Sequence, residues 1–231
     1  MLCLSKGGFT SLQKKLSKTM KEVWVNFFFL LIIFIVSFVY FHKLIFAYDC
    51  ILVHGDNRHA LTIYEHIQYH TGETIYLHAP KILILMLLYP LSFIFGDILA
   101  EKLFTVIILF LSSFLVYNSN RHFIKRTVNM SCLKNSASSF VGTLVFLYNP
   151  WTINKIHHHY WLVLSLASSY ALLSEVDKLI QNQEKVKCFS CFKIAVLLTL
   201  IATQVQALII YTSLFITAYF IFLEPSRKNH F

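Results

Sequence analysis

Charged residues and glycine are both scarce in this chain of 231 residues. Asp, Glu, Lys and Arg together make up 13% of the sequence, whereas they make up roughly 25% of a typical soluble domain. Glycine occurs only 6 times, hydrophobic residues make up 57%, and Phe alone occurs 22 times. This composition excludes disordered, fibrous and secreted disulfide-rich proteins and predicts an integral membrane protein.

Several motifs with known chemistry are also absent from the sequence. It contains neither a glycine-rich phosphate loop nor a GxSxG nucleophile motif. Its 5 cysteines are an odd and scattered set, in which Cys188 and Cys191 form a single CxxC pair. A structural zinc site would need a second pair of ligands nearby. The sequence therefore predicts neither a disulfide framework nor a structural zinc site.

The formal net charge of +9 is concentrated at the ends of the apolar segments. Basic residues precede the first apolar segment, at Lys6, Lys14, Lys15, Lys18 and Lys21. By the positive-inside rule this tail is cytoplasmic, and the apolar segment after it is too long for a cleaved signal sequence. We therefore expect an uncleaved anchor in the cell membrane, with its positive charge directed to lipid headgroups and not to nucleic acid.

The distribution of apolar segments predicts an all-α fold, a polytopic transmembrane helix bundle. The predicted spans lie between a basic tail, residues 1–23, and a C-terminal tail, residues 224–231; they cover residues 24–48, 98–117, 137–149, 160–175 and 194–223. The segment Ile82–Phe95 contains Pro90 and has about 14 residues, which suits an interfacial segment better than a span. If it lies at the interface, both later basic clusters are cytoplasmic, and residues 49–97 and 149–159 form outer loops.

The first outer loop is polar and has internal structure. Its sequence HGDNRHALTIYEHIQYH places Ala60, Ile63, Tyr64 and Ile67 at the spacing of one helix face. This pattern predicts an amphipathic helix in the headgroup layer. The loop continues through TGETIYLHAPK into the short apolar segment that ends in FGD.

These segments resemble the N-terminal half of the GT-C superfamily of membrane glycosyltransferases. The similarity rests on an acid early in the first outer loop, on HAPKILILMLLYPLSFIFG, which resembles a His-Pro-Pro-Leu stretch, and on FLYNPWTINKIHHHYW, which resembles a Tyr-x-x-Asn-Pro segment. It covers most of residues 24–175. The sequence departs from the family pattern where Asn57 follows Asp56, because the family commonly has two acids there. GT-C proteins usually have more spans than the five predicted here, so the resemblance implies a fragment, a shortened paralogue or one half of a split protein.

What the resemblance implies is sugar transfer on the outer membrane face, from a polyprenyl-phosphate donor to an acceptor. It places the catalytic carboxylate at Asp56, which would act as general base during inversion. The alternative is that Asp56 caps the helix that follows, since Asp is a preferred N-cap residue. Asp49, at the exit of the first span, is the second candidate carboxylate.

Basic and polar residues supply candidates for substrate binding. Arg58 and Lys102 would stabilise the phosphate leaving group, or else extend towards lipid headgroups. His78 belongs to a histidine-rich loop in which a divalent metal is an option, although His66 and His70 form its one helical i, i+4 pair. Asn154 and His157 lie in the second outer loop, which either closes over the substrate or forms a structural rim.

The sequence therefore leads to two hypotheses. The first is a glycosyltransferase-like enzyme with a lipid-linked sugar donor and membrane lipids as its partners. The second is a non-catalytic membrane subunit or transporter-like protein, possibly one component of a larger assembly, whose histidine-rich loops bind an ion or a partner. A transporter is expected to carry charges at mid-bilayer depth.

Overall fold

The computed structural model describes residues 20–39, 92–128, 130–158, 160–182 and 188–202, together with Met86, Pro90, Ser213 and Thr217. Nearly all of these residues are helical, and none of them lies in a strand. The all-α prediction is therefore confirmed for this part of the chain. The predicted outer loop, with its amphipathic helix, falls largely outside the described residues.

Six helices account for most of the described residues. They are α1 (Met20–Val39), α2 (Asp97–Thr127), α3 (Cys132–Tyr148), α4 (Pro150–His158), α5 (Tyr160–Asn182) and α6 (Cys188–Ile201). The helices α2 and α5 continue well beyond the predicted apolar spans, through polar and basic residues at their C-terminal ends.

A glycine separates α2 from the short helical stretch that precedes it. Ser92 to Phe95 are helical, and the Gly96 amide still donates to the Ser92 carbonyl at 2.9 Å. Gly96 then adopts φ 75° and ψ 156°, a conformation that is essentially restricted to glycine. The regular helix is interrupted at this residue, and α2 begins at Asp97.

The residues predicted as the second outer loop form the helix α4. Pro150 occupies the first helical position, where its missing N–H costs nothing. Asn149 precedes it as a cap, and its side-chain Oδ1 accepts a hydrogen bond from the Trp151 amide at 2.8 Å. The Asn-Pro pair is thus a helix start, and the segment predicted as the second outer loop contains a helix over Pro150–His158.

The helices pack with α2 at the centre, against both α3 and α5. Phe104 contacts Trp161 near the start of α2 and α5, and Asn120 contacts Tyr170 further along, so these two helices run parallel. In contrast, α1 and α2 are antiparallel, because Asn26 contacts Tyr117. The ends of α2 and α5 and the starts of α1, α3 and α6 therefore share one end of the bundle.

We call this end the basic end, because most of the described basic residues lie there. They are Lys21, Arg121, Lys125, Arg126, Lys134, Lys178 and Lys193. The other end, where α2 and α5 begin and α4 lies, is called the opposite end. The packing of α2 against α5 brings together residues that are more than 50 positions apart in the sequence, such as His122 and Asp177.

The interior of the bundle is rich in small hydroxyl side chains. Ser113, Ser139, Thr143 and Ser169 are buried, and each donates to the carbonyl four residues earlier in its own helix. Large apolar side chains lie on the outside instead, such as Phe27, Phe28, Phe34, Val145 and Phe192. Small residues at helix interfaces and apolar residues outside are typical of helices that pack within lipid.

Among the described residues, two helices are long and apolar enough to cross a membrane. The first is Met20–Val39, and 11% of its apolar stretch is buried inside the protein. The second is Lys102–Thr127, and 56% of its apolar stretch is buried. The difference shows that α1 lies at the periphery and α2 at the centre. Both helices contribute to one hydrophobic core, α1 through Ile33 and α2 through Phe104, Leu109 and Tyr117.

Candidate functional site

A cluster of charged side chains joins α2 to α5 at the basic end. The Asp177 carboxylate is fully buried, and Oδ2 accepts a hydrogen bond from His122 Nε2 at 2.7 Å. Its other oxygen is in contact with the guanidinium of Arg126. Gln181, one turn further along α5, donates from Nε2 to Oδ2 at 2.6 Å. Each carboxylate oxygen of Asp177 is therefore paired.

The cluster is built by helical spacing. His122 and Arg126 are four residues apart on α2, so they lie on one face of that helix. Asp177 lies on the facing surface of α5, next to both of them. A buried carboxylate is costly unless it is ion-paired and hydrogen-bonded. These contacts stabilise Asp177 and fix the orientation of the two basic side chains.

A cavity of about 630 Å³ lies beside this cluster, between α2, α3, α5 and α6. One part of its wall is apolar and consists of Leu111, Phe114 and Leu115 from α2, with Phe189, Phe192 and Val196 from α6. Charged and ionisable side chains also line the cavity. They are the cations Arg121, Lys125, Lys178 and Lys193, the ring of His122 and one carboxylate, Glu175. The cavity therefore combines a hydrophobic surface with an excess of positive charge.

The cations of the cavity differ in how they are paired. Lys178 Nζ lies 2.5 Å from Glu175 Oε1, and Lys193 Nζ lies 3.8 Å from Glu175 Oε2. Arg121, in contrast, has a buried Nε for which the described residues supply no hydrogen-bond acceptor. A buried donor without an acceptor costs roughly 1–3 kcal/mol. Arg121 also lines the cavity, so an anion bound there would face its positive charge.

The neutral polar groups of the cavity are already engaged by the backbone. Asn118 Nδ2 donates to the Phe114 carbonyl at 2.9 Å, and Ser119 Oγ donates to the Leu115 carbonyl at 2.8 Å. Asn135 Nδ2 donates to the Arg121 carbonyl at 3.2 Å, which joins α3 to α2. The attraction of the cavity for a ligand therefore comes mainly from its charged groups and its apolar wall.

Of the residues that the sequence analysis proposed for catalysis and substrate binding, those that the structure describes lie at the opposite end from this cavity. Asp56, Asp49, Arg58 and His78 lie outside the described residues. Lys102 is buried, with 2% of its surface exposed, and lies near the start of α2 at the opposite end. Asn154 and His157 belong to α4, also at the opposite end. Phe104 packs on Tyr160 at 5.5 Å between ring centroids, so α2 and the α4–α5 junction meet there.

No group of three metal-ligating side chains is found in the part of the chain that the structure describes. Cys191 is a free, exposed thiol near the start of α6. The histidine pair His66 and His70 lies outside the described residues.

The sequence analysis used the basic residues of this end only to orient the chain. It missed His122 and Asp177. A signal was present, because His122 and Arg126 form a basic i, i+4 pair and Asp177 lies, with Glu175, just beyond a long apolar segment. Ionisable residues associated with apolar spans tend to pair with one another.

Comparison with known proteins gives no match, since no family model fits the sequence and no curated protein or solved structure is significantly similar to it.

Proposed function

We propose that this chain is a multi-pass membrane protein that binds a phosphate-bearing lipid at the basic end of its helix bundle. The observation that carries the proposal is the cavity between α2, α3, α5 and α6, because cations and an apolar wall meet within it. A lipid with a phosphate has the same two parts, an anionic headgroup and an apolar chain.

The headgroup fits the part of the cavity near Arg121 and Lys125. Both side chains line the cavity and bring positive charge to it. Phosphate oxygens accept strong, charge-assisted hydrogen bonds from guanidinium groups. The acyl chains lie along Phe189, Phe192 and Val196 of α6, whose aromatic side chains are more than half exposed. Lipid that enters from the bilayer reaches this wall without crossing the protein core.

The membrane setting is supported by the distribution of side chains. Small hydroxyl residues fill the interior while Phe and Val lie outside, and two described helices are long enough to span. The positive-inside rule then orients the basic end, with Lys134, Lys178 and Lys193, towards the cytoplasm. The cavity would face the inner leaflet, which is rich in anionic lipid.

Lipid binding can be tested with the purified protein in nanodiscs. Native mass spectrometry would count bound dioleoyl phosphatidic acid against the zwitterionic dioleoyl phosphatidylcholine. Arg121→Gln should weaken phosphatidic acid binding about tenfold, since it removes a charge-assisted contact. Lys134→Gln is the matched control, because Lys134 is an exposed cation of the same end that does not line the cavity. Equal effects of the two substitutions would contradict the proposal.

The orientation can be tested with native cysteines. Cys132 lies at the start of α3 and Cys191 near the start of α6, so both belong to the basic end. Single-cysteine variants should therefore resist a membrane-impermeant thiol reagent in intact cells and react after permeabilisation. Labelling of exposed Cys191 in intact cells would place the basic end outside.

A second candidate function is sugar transfer from a polyprenyl-phosphate donor at the opposite end of the bundle. It is supported by the GT-C resemblance and by Lys102, a buried lysine close to the α4–α5 junction, which is where a leaving phosphate would need a cation. Asp56 would be the base. A transferase assay on outward-facing membranes should lose activity with Asp56→Asn, and full activity of that variant would count against Asp56 as the base.

A further inference from the structure

His122 belongs both to the charged cluster around Asp177 and to the wall of the cavity. Its Nε2 lies 2.7 Å from Asp177 Oδ2, and the same side chain lines the cavity. Lysine, arginine and glutamate side chains ordinarily keep their charge between pH 5.5 and 8, whereas the ordinary pKa of histidine, about 6.5, lies inside this interval. Of the described residues that line the cavity, His122 is therefore the one suited to change its charge near neutral pH.

We propose that binding of an anionic lipid in the cavity is coupled to protonation of His122, so that the site takes up a proton from solvent together with the lipid. This inference rests on the proposed function, because it concerns the same cavity. It assigns His122 a role in regulating affinity by pH and no role in chemistry.

The contact with Asp177 decides which ring nitrogen gains the proton. A carboxylate only accepts hydrogen bonds, so the His122 Nε2 that faces Asp177 carries a hydrogen in both the neutral and the charged ring. Nδ1 is therefore the nitrogen that is protonated. The hydrogen bond to Asp177 is present in both states, so the ring is held in place while its charge changes.

Protonation changes the net charge of the cluster. Arg126 and Asp177 carry opposite charges, so the cluster is neutral with a neutral ring and gains one positive charge when His122 is protonated. The other charge from α5 that acts on the ring is Lys178, which is a cation as well. Of the remaining neighbours, α6 brings the cation Lys193 to the cavity and α3 the neutral Asn135.

A protonated His122 has little negative charge around it until an anion enters. Asp177 already pairs with Arg126, and Glu175 is paired with two lysines, Lys178 and Lys193. The His122 side chain is only 14% exposed, and a largely buried charge is costly unless it is paired. A lipid phosphate in the cavity thus stabilises the protonated ring. By reciprocity, protonation of the ring strengthens binding of the lipid by the same factor.

The experiment measures the affinity of the full-length protein for one lipid at two pH values. Dioctanoyl phosphatidylglycerol is titrated into the protein in a neutral detergent by isothermal titration calorimetry at pH 8 and pH 5.5. The lipid is a phosphodiester, so its own charge does not change over this range. The wild-type protein should bind it about fivefold more tightly at pH 5.5, the lower end for coupled ligands. Near pH 6.5, the binding enthalpy should vary with the ionisation enthalpy of the buffer, which reports proton uptake.

Two substitutions assign the effect to His122. His122→Gln should bind with equal affinity at both pH values and without proton uptake, and it should fold, because Asp177 keeps Arg126 and Gln181 as partners. His122→Lys carries a permanent charge and should bind at both pH values about as tightly as the wild-type protein does at pH 5.5. The matched control is His158→Gln on α4 at the opposite end, which should keep the fivefold difference.

The outcomes separate this inference from the proposed function. A fivefold difference that persists in His122→Gln or His122→Lys would overturn the inference, because another group would then be the one that titrates. Equal affinity of the wild-type protein at both pH values would also overturn it, while lipid binding itself would stand. If the wild-type protein binds phosphatidylglycerol at neither pH, the proposed function fails.

Discussion

The two ends of the bundle are held together by different forces. At the opposite end, aromatic rings pack against each other, with Phe104 5.4 Å from the ring of Trp161 and 5.5 Å from that of Tyr160. At the basic end, α2 and α5 are joined by a buried carboxylate with His122 and Arg126. Aromatic packing tolerates small shifts, whereas the charged contacts depend on the position of each atom.

The difference teaches which end is prepared for a ligand. Around Phe104 the described aromatic side chains pack against one another. At the basic end Asp177 is fully paired, yet Arg121 retains a buried donor that no described residue accepts. The paired cluster around Asp177 therefore lies beside a cavity that is lined by an excess of positive charge.

The largest expected effect comes from breaking the basic end at Asp177. Asp177→Asn removes the charge that His122 and Arg126 face, so we expect a loss of about 3 kcal/mol in the free energy of unfolding. The measurement is reversible unfolding in mild detergent, followed by circular dichroism. A loss below that of Glu175→Gln, which affects partly exposed ion pairs, would contradict a dominant role for the Asp177 cluster.

An effect no larger than this is expected at the opposite end. Phe104→Ala removes two ring contacts and leaves a cavity, which should cost about 3 kcal/mol, the lower end for such a substitution. Phosphatidic acid binding should be unchanged, because Phe104 lies far along α2 from Arg121. Loss of lipid binding in this variant, at a temperature where it is still folded, would show that the two ends are coupled.

A third substitution sharpens the comparison within the middle of the bundle. A Cβ at Gly142 would come within 2.8 Å of Asn120 Nδ2, and Asn120 accepts a hydrogen bond from Tyr170. Gly142→Ala should therefore cost about 1 kcal/mol through the Tyr170 contact, despite the better helix propensity of alanine. In a Tyr170→Phe background the same change should cost less, which a double-mutant cycle in detergent measures. Full additivity would show that the shift of Asn120 is not the cause.

The smallest effect is expected where α1 joins the bundle. Asn26 Oδ1 accepts hydrogen bonds from Tyr117 at 3.2 Å and from Ser136 at 3.1 Å. Asn26→Ala should lower the free energy of unfolding by about 0.6 kcal/mol, the average for such bonds between membrane helices. Protease protection of α1 in nanodiscs would decrease slightly while the fold of α2–α6 is retained. An unfolded variant would show that α1 is required for the rest of the bundle.

The sequence predicted the helices better than their ends. Apolar segments located α1, α2, α3, α5 and α6, because a membrane-length helix needs a run of apolar residues. The apolar segments underestimated the lengths of α2 and α5. A helix continues past its apolar region when its polar side chains find partners, as His122 does with Asp177. The helix α4 was missed because short polar helices leave little trace in hydropathy, although Asn149-Pro150 marked its start.

The candidate site was harder to predict. The sequence places Lys178 three residues after Glu175 on one helix, a spacing that allows a contact, but nothing local to Lys193 indicates that it also approaches Glu175. Such pairing depends on how α5 returns against α6, and therefore on tertiary structure. The predicted base, Asp56, lies outside the described residues, so sugar transfer stays a prediction.

The hydroxyl-rich interior has a consequence for how this protein assembles during synthesis. Ser113, Ser139 and Thr143 satisfy their hydroxyl groups within their own helices, so α2 and α3 can be inserted one at a time without a partner. Arg126 is different, because its carboxylate partner is translated 51 residues later. Until α5 emerges, this basic side chain must be solvated by water or headgroups. A ribosome-bound chain that ends before Asp177 should therefore be recognised by quality control as incomplete, even though most of its helices have already formed.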